Sequence, residues 1–185
     1  MRVPVVLIVW HLRTDAPDEF VNASGIGTRL RPPLDGTLLV TQLFGGNPKA
    51  EAFSAGDGIL VLGHTGIDLS CPVGSPVYPC WDGVVRILDS GPRGFGLHAI
   101  LTDVRGRQAL YGHLSALLVP DGASLHEHVL FARSGMTGYA TGPHLHFEVR
   151  EAAADPRNGY YGCRDPLGGF DHDVVPRIDL SLTNL

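Results

Sequence analysis

The chain has 185 residues, of which 44% are hydrophobic, and this length and apolar content fit one domain with a sizeable core. Its formal net charge is −5 and its isoelectric point is about 5.9. No basic patch is available to neutralise phosphates, so the sequence excludes nucleic acid as a partner.

Residues 1–36 are predicted to form an N-terminal strand followed by a linker. Arg2 precedes an apolar run at residues 3–10. The run is too short for a transmembrane helix, and no small-residue cleavage site follows it. We therefore favour an N-terminal strand over a signal peptide, and a loop or linker over the Pro- and Asp-containing residues 13–33.

Short apolar runs, separated by clusters of Gly, Pro and Asp, predict an all-β fold with mainly antiparallel sheets. No long helical period interrupts them. The runs are residues 38–40, 84–88, 99–101 and 147–149. We place the main domain at residues 37–170 and a C-terminal tail at residues 171–185.

Two elements in the first two thirds of the chain carry histidines with polar or small neighbours. In an extended chain His64, Gly66 and Asp68 share one face, and the glycine leaves that face clear. His113 stands between Gly112 and Leu114 at a predicted strand end. Each element alone is a weak pattern that is usually structural.

The run His-Leu-His-Phe-Glu at residues 144–148 is the most informative stretch. Strand alternation places His144 and His146 on one face, about 7 Å apart at the backbone, while the intervening apolar side chains point into the core. Two imidazoles so placed suit zinc or another borderline transition metal. Glu148 either orients a ligand histidine or is an exposed strand carboxylate, and we leave it outside the site.

Together these elements resemble the LytM/lysostaphin-like zinc metallopeptidases, which cut peptidoglycan peptides. The matching runs are HTGIDLS at 64–70, GSPVYPCWDGVV at 74–85, YGHLS at 111–115 and SGMTGYATGPHLHFEV at 134–149. The resemblance fades after Val149. It implies a groove walled by loops, with one zinc ion per chain at its floor.

The resemblance assigns a role to each histidine of the matching runs and to one carboxylate. His64, Asp68 and His146 would be zinc ligands, and the fourth tetrahedral position would stay open, as in catalytic zinc sites. His113 and His144 would be catalytic residues that flank the open position, one as general base and the other orienting the nucleophile or stabilising the oxyanion. The individual roles of these two stay open.

The implied function is a zinc-dependent metalloendopeptidase that hydrolyses stem peptides or cross-bridges of bacterial peptidoglycan by attack of a zinc-bound water. The alternatives are a LytM-like amidase regulator without catalysis and a phage tail or virion lysin domain with a mainly structural role. We expect a monomer without a membrane span, in the cell wall, periplasm or outside the cell, or in a virion. Which bond is cut stays open, with Gly-Gly bridges and D-Ala-to-diaminopimelate links both considered.

The remaining histidines and the cysteines are predicted to lie outside the site. His126 and His128 repeat the His-x-His spacing but follow a polar loop, and turn positions are expected there. Cys71 and Cys80 either form a disulfide across a turn or are free thiols. The other incidental residues are His11, His98 and His172.

Two departures from the family pattern bear on the mechanism. Residues 44–63 contain no tyrosine, although some relatives place one shortly before the first ligand. Met136 stands where relatives often have Asn, in a turn that we expect Gly135 and Gly138 to preserve.

Overall fold

The computed structural model describes residues 6–8, 30–46, 53–54, 60–170 and 176–178. These residues form β-strands, turns and a single 3₁₀-helix at Pro166–Gly169, which Asp165 caps. The strands are β1 Val6–Ile8, β2 Leu38–Gln42, β3 Phe53–Ser54, β4 Leu60–Val61, β5 Ile67–Ser70, β6 Pro76–Val77, β7 Gly83–Asp89, β8 Leu97–Thr102, β9 Gln108–Gly112, β10 Leu114–Leu117, β11 Ser124–Leu125, β12 Ala132–Ser134, β13 His144–Arg150, β14 Cys163–Arg164 and β15 Pro176–Ile178.

The strands are arranged in one large antiparallel sheet and two small ones. The large sheet has ten strands in the order β11-β7-β8-β9-β13-β5-β2-β1-β15, and β14 also pairs with β13. A three-stranded sheet has the order β10-β12-β6, and β3 pairs with β4. The predicted all-β, mainly antiparallel fold is therefore confirmed.

The core lies on the face of the large sheet to which the alternating apolar side chains point. Leu145, Phe147 and Val149 of β13 are fully buried, as alternation predicts. The Tyr111 ring lies 5.3 Å from that of Phe147, and its hydroxyl accepts a 2.8 Å hydrogen bond from a backbone N–H. Burying this much apolar surface fixes the strand register, because a slip of one residue would expose the whole set.

The register of β13 determines where the histidines lie. This strand runs between β5 and β9, and His146 is paired with Asp68 on one side and with Gly112 on the other. A Cβ at Gly112 would lie 3.2 Å from the His146 Cβ, so the absence of a side chain leaves room for the imidazole. Adjacent strands thus bring distant parts of the chain to one place.

Both terminal segments contribute a strand to the large sheet. β1, inside the predicted N-terminal strand, pairs with β2 and with β15 of the predicted tail. Most of the predicted linker at 13–33 lies outside the described residues, which resume at Leu30. In the described part of the chain, no helix has the length and apolar character needed to cross a membrane.

Candidate metal centre

Three side chains bring one ligand atom each to a common point, Asp68 from β5, His146 from β13 and His64 from the turn before β5. His146 Nδ1 lies 2.9 Å from both Asp68 Oδ1 and His64 Nε2, and His64 Nε2 lies 3.1 Å from Asp68 Oδ1. A tetrahedral zinc ion with bond lengths of about 2.0–2.2 Å holds its ligand atoms roughly 3.4 Å apart. The His-Asp-His triangle therefore needs only a slight expansion to fit such an ion.

Hydrogen bonds on the outer edge of both rings fix which nitrogen faces this point. His64 Nδ1 lies 3.2 Å from the carbonyl oxygen of Leu43, which can only accept, so this nitrogen carries the proton. His146 Nε2 likewise donates to Glu148 Oε1 at 3.1 Å. In the neutral rings the lone pairs of His64 Nε2 and His146 Nδ1 are then both directed at the point shared with Asp68. Such outer partners are the usual support of metal-binding histidines.

The electrostatics of the triangle favour a cation. Burial raises the pKa of the Asp68 carboxyl, but hydrogen bonds from His146 and His64 outweigh this effect and hold it well below its usual range. Burial lowers the pKa of His146, but its hydrogen bonds to Asp68 and Glu148 raise it to about 9. A positive charge, either a proton or a metal ion, is thus stabilised among these atoms, and a metal would displace the proton.

The other two predicted residues, His113 and His144, lie beside the triangle. Their rings are 4.6 Å apart, and His144 Nε2 lies 3.7 Å from Asp68 Oδ1. Each Nδ1 faces a backbone carbonyl, that of Thr137 at 2.7 Å and that of Gly142 at 2.8 Å. The Nε2 atoms of both neutral rings are therefore left unprotonated and able to accept a proton.

His113 has an unusual backbone and a shifted pKa. Its φ is 59°, in the left-handed region that few residues other than glycine adopt. Its N–H donates to the carbonyl of Phe95 at 2.8 Å, and this bond holds the strained turn in place. Burial is the largest cause that lowers the pKa of His113, to about 4, so the ring is neutral near pH 7.

Glu148 is fully buried, so the exposed strand carboxylate considered for it is wrong. Its other oxygen, Oε2, accepts from Arg150 Nη2 at 2.5 Å and from Cys163 Sγ at 3.4 Å. Pairing of β14 with β13 brings Cys163 to this carboxylate. The alternation of side chains along β13 alone could not predict this pairing. Burial raises the pKa of Glu148, but the hydrogen bond from His146 and the charge of Arg150 lower it to about 2.

Two contacts of the site were not predicted from the sequence. The Phe95 ring stacks on His146 with centroids 5.0 Å apart and an interplanar angle of 27°. The Thr137 hydroxyl donates to the carbonyl of Leu114 at 2.9 Å, next to the carbonyl that binds His113. Phe95 lies outside the matching runs, and Thr137 lies in the run 134–149 without an assigned role. Each acts from a loop whose path depends on the rest of the fold.

The turn before β13 is preserved by its glycines, as predicted. Gly138 has a φ of 73°, and a Cβ there would lie 2.3 Å from the backbone N of Gly96. A Cβ at Gly135 would lie 2.6 Å from the backbone N of Ser115. The side chain of Met136, between them, is 48% exposed, so this turn does not depend on its packing.

The residues that were predicted to lie outside the site, and that the structure describes, are not part of the triangle. His126 pairs with Asp82 at 3.0 Å, and His98 Nδ1 faces the carbonyl of Gly96 at 2.8 Å. Among the described residues, only the His-Asp-His triangle groups three potential ligands. Cys71 and Cys80 are free, so no disulfide joins them. His11 and His172 lie outside the described residues.

Comparison with known proteins assigns the chain to a family. The profile of Peptidase family M23 matches residues 62–158, which include all five predicted site residues. Peptidoglycan DD-endopeptidase ShyB of Vibrio cholerae is 36% identical over 105 residues, which are 57% of this chain and 24% of that protein. The chain thus corresponds to about a quarter of this relative's length.

Two solved structures share the fold. A zinc-containing peptidase from Vibrio cholerae is 31% identical with a TM-score of 0.54, over 70% of this chain and 42% of that one. The second is the catalytic domain of the prophage-encoded M23 protein EnpA from Enterococcus faecalis, in its A109H mutant form. It is 27% identical with a TM-score of 0.52, and the match covers 69% of this chain and 86% of that one. The predicted resemblance is confirmed, and the chain belongs to Peptidase family M23.

Proposed function

We propose that this chain is a zinc-dependent endopeptidase that hydrolyses peptide bonds of bacterial peptidoglycan. The observation that carries the proposal is the convergence of His64 Nε2, Asp68 Oδ1 and His146 Nδ1 to within 3.1 Å of one another, close to the ligand spacing of a tetrahedral zinc ion. The peptidoglycan DD-endopeptidase relative supports the substrate class.

In this proposal His64, Asp68 and His146 hold the zinc ion and leave one position free. Bound zinc would lower the pKa of water to about 7 and polarise the scissile carbonyl. Three ligands, two neutral and one negative, leave a net positive charge on the metal, which suits both effects. The donor set of two imidazoles and a carboxylate is one that catalytic zinc uses.

His113 and His144 are the proton-transfer residues of the proposal. Each Nδ1 faces a backbone carbonyl, which leaves Nε2 of the neutral ring as the proton acceptor, and the low pKa of His113 keeps that ring neutral at pH 7. His144 Nε2 lies 3.7 Å from Asp68 Oδ1. One ring takes the proton of the nucleophile, and the other orients the nucleophile by accepting a hydrogen bond on its Nε2. The departing amine then needs a proton, which the protonated base is placed to return.

The alternatives have less support. A regulator without catalysis has no need of a complete ligand triangle together with two further histidines. The prophage origin of the EnpA relative keeps a virion location open for this chain, beside the cell wall or periplasm, without removing the enzymatic reaction. A monomeric state stays a prediction.

Mass spectrometry of digested peptidoglycan tests the proposal and identifies the bond. The zinc-loaded chain is incubated with a directly cross-linked wall and with a glycine-bridged wall. New amino termini are expected in one of them and absent after chelation of the metal. The name of the DD-endopeptidase relative favours the directly cross-linked wall. Intact walls of both kinds, with zinc bound to the protein, would contradict the proposal.

A further inference from the structure

The carboxylate of Glu148 has all of its hydrogen-bonding capacity filled by four different donors. Oε1 accepts from His146 Nε2 and from the Thr65 hydroxyl, while Oε2 accepts from Arg150 Nη2 and Cys163 Sγ. An ionised carboxylate has about four lone-pair sites, so none is left over. The position and rotation of this buried side chain are therefore fixed from every side.

From these contacts we propose that Glu148 is a positioning residue for the metal ligand His146. The inference rests on the proposed zinc site. Because Oε1 can only accept, it holds the proton of His146 on Nε2 and keeps the Nδ1 lone pair directed at the metal position. Phe95 stacks on the same imidazole, so both the tautomer and the plane of the ring are set.

Glu148 also connects the two segments that carry the histidine ligands. Thr65, which donates to Oε1, directly follows His64 in the chain. A Cβ at Gly66 would lie 3.0 Å from the Glu148 Cγ, so this glycine makes room for the carboxylate. A shift of Glu148 would thus disturb the relative positions of His64 and His146, which determine the affinity for the metal.

The support for Glu148 reaches beyond the region that matches the family. Cys163 lies after residue 158, where the match ends, and its Sγ also accepts from Arg150 Nε at 3.2 Å. The guanidinium of Arg150 lies over the ring of Tyr161 at 5.3 Å. The segment around Cys163 therefore belongs to the support of the metal site, although it contains no ligand.

The sharpest test is Glu148→Gln, because every neighbour of this side chain is a donor. Either orientation of the glutamine amide places its NH₂ group against two of the four donors. We expect the zinc affinity, measured by competition with a chromogenic chelator, to fall 10–100-fold. The absorption spectrum of the cobalt-substituted protein should change, and kcat should fall more than KM rises.

Two further variants keep the test decisive. Thr65→Val conserves shape and charge and removes one donor to Oε1, so a smaller loss of zinc affinity is expected. Asp35→Asn makes the same carboxylate-to-amide change at an exposed ion pair with Arg31 and should leave zinc affinity and the cobalt spectrum unchanged. Thermal unfolding of the metal-free proteins establishes which variants fold.

The outcomes separate this inference from the proposed function. A wild-type chain that fails to bind zinc would overturn both. A wild-type chain that binds zinc and cleaves peptidoglycan, with unchanged zinc affinity and cobalt spectrum in Glu148→Gln, would overturn the positioning role alone. If Glu148→Gln does not fold, unchanged values in Thr65→Val would have the same meaning.

Discussion

His146 lies directly opposite Asp68 in the β5–β13 strand pair, and its Nδ1 is 2.9 Å from the Asp68 Oδ1. Backbone pairing thus sets the distance between two proposed ligands, so neither depends on a flexible loop for its position. Sites built on strands hold their geometry better than sites on loops.

Replacing His146 with Ala should abolish both zinc binding and peptidoglycan hydrolysis. The substitution removes one of the three ligand atoms. It also removes the N–H that donates to Glu148 Oε1. Metal analysis of the purified variant, beside a digestion assay, checks this. Activity lost with zinc retained at one ion per chain would instead make His146 catalytic and not a ligand.

His113→Asn should separate catalysis from metal binding. Asn tolerates the left-handed backbone that His113 adopts, so the turn should survive. Loss of a general acid or base typically costs 10²–10⁴ in rate, and we expect a loss of kcat in this range with full zinc content. Stopped assays on a soluble cross-linked peptide give kcat, and metal analysis gives the zinc content. A variant that loses its zinc would show that His113 is a ligand.

The sequence alone predicts those site residues whose side-chain direction follows from the alternation of faces along a strand. His144 and His146 point to one side of β13 and Phe147 to the other, and the structure has this arrangement. Alternation could not decide between the two roles considered for Glu148, because its burial depends on contacts such as that with Cys163, which strand pairing brings to it. Phe95 was missed for the same reason, since its position on His146 depends on the packing of two loops.

Gly66→Ala should destabilise the fold and the metal site together. A Cβ there would lie 2.3 Å from the carbonyl oxygen of Phe147, so the backbone between His64 and Asp68 must move. Overpacking of this kind costs about 1–3 kcal/mol or more in the free energy of unfolding. Gly142→Ala is the matched control, because its Cβ would meet nothing within 4 Å. Urea unfolding of both variants measures the difference, and equal midpoints would contradict the predicted clash.

Zinc should stabilise the folded chain. Three ligand atoms lie within 3.1 Å of one another, and a bound cation would displace the proton from among them and bind all three. At free zinc 100 times above the dissociation constant, the free energy of unfolding should rise by about 2.7 kcal/mol. Thermal unfolding with and without zinc checks this. Asp68→Asn removes the negative ligand, and a zinc-dependent shift as large as that of the wild type would exclude Asp68 as a ligand.

The three cysteines should be found as thiols of unequal reactivity. Alkylation needs the thiolate, and burial raises the pKa of Cys80 to about 12. Cys163 is also buried, and burial raises its pKa as well. Burial raises the pKa of Cys71 too, but this thiol is only half-buried and remains accessible to the reagent. Iodoacetamide at pH 8 should therefore label Cys71 alone in the native protein and all three residues in urea, with a matched mass increase for each. Fewer than three labels in urea without a reductant would reveal a disulfide, and rapid native labelling of Cys163 would contradict its place behind the Glu148 carboxylate.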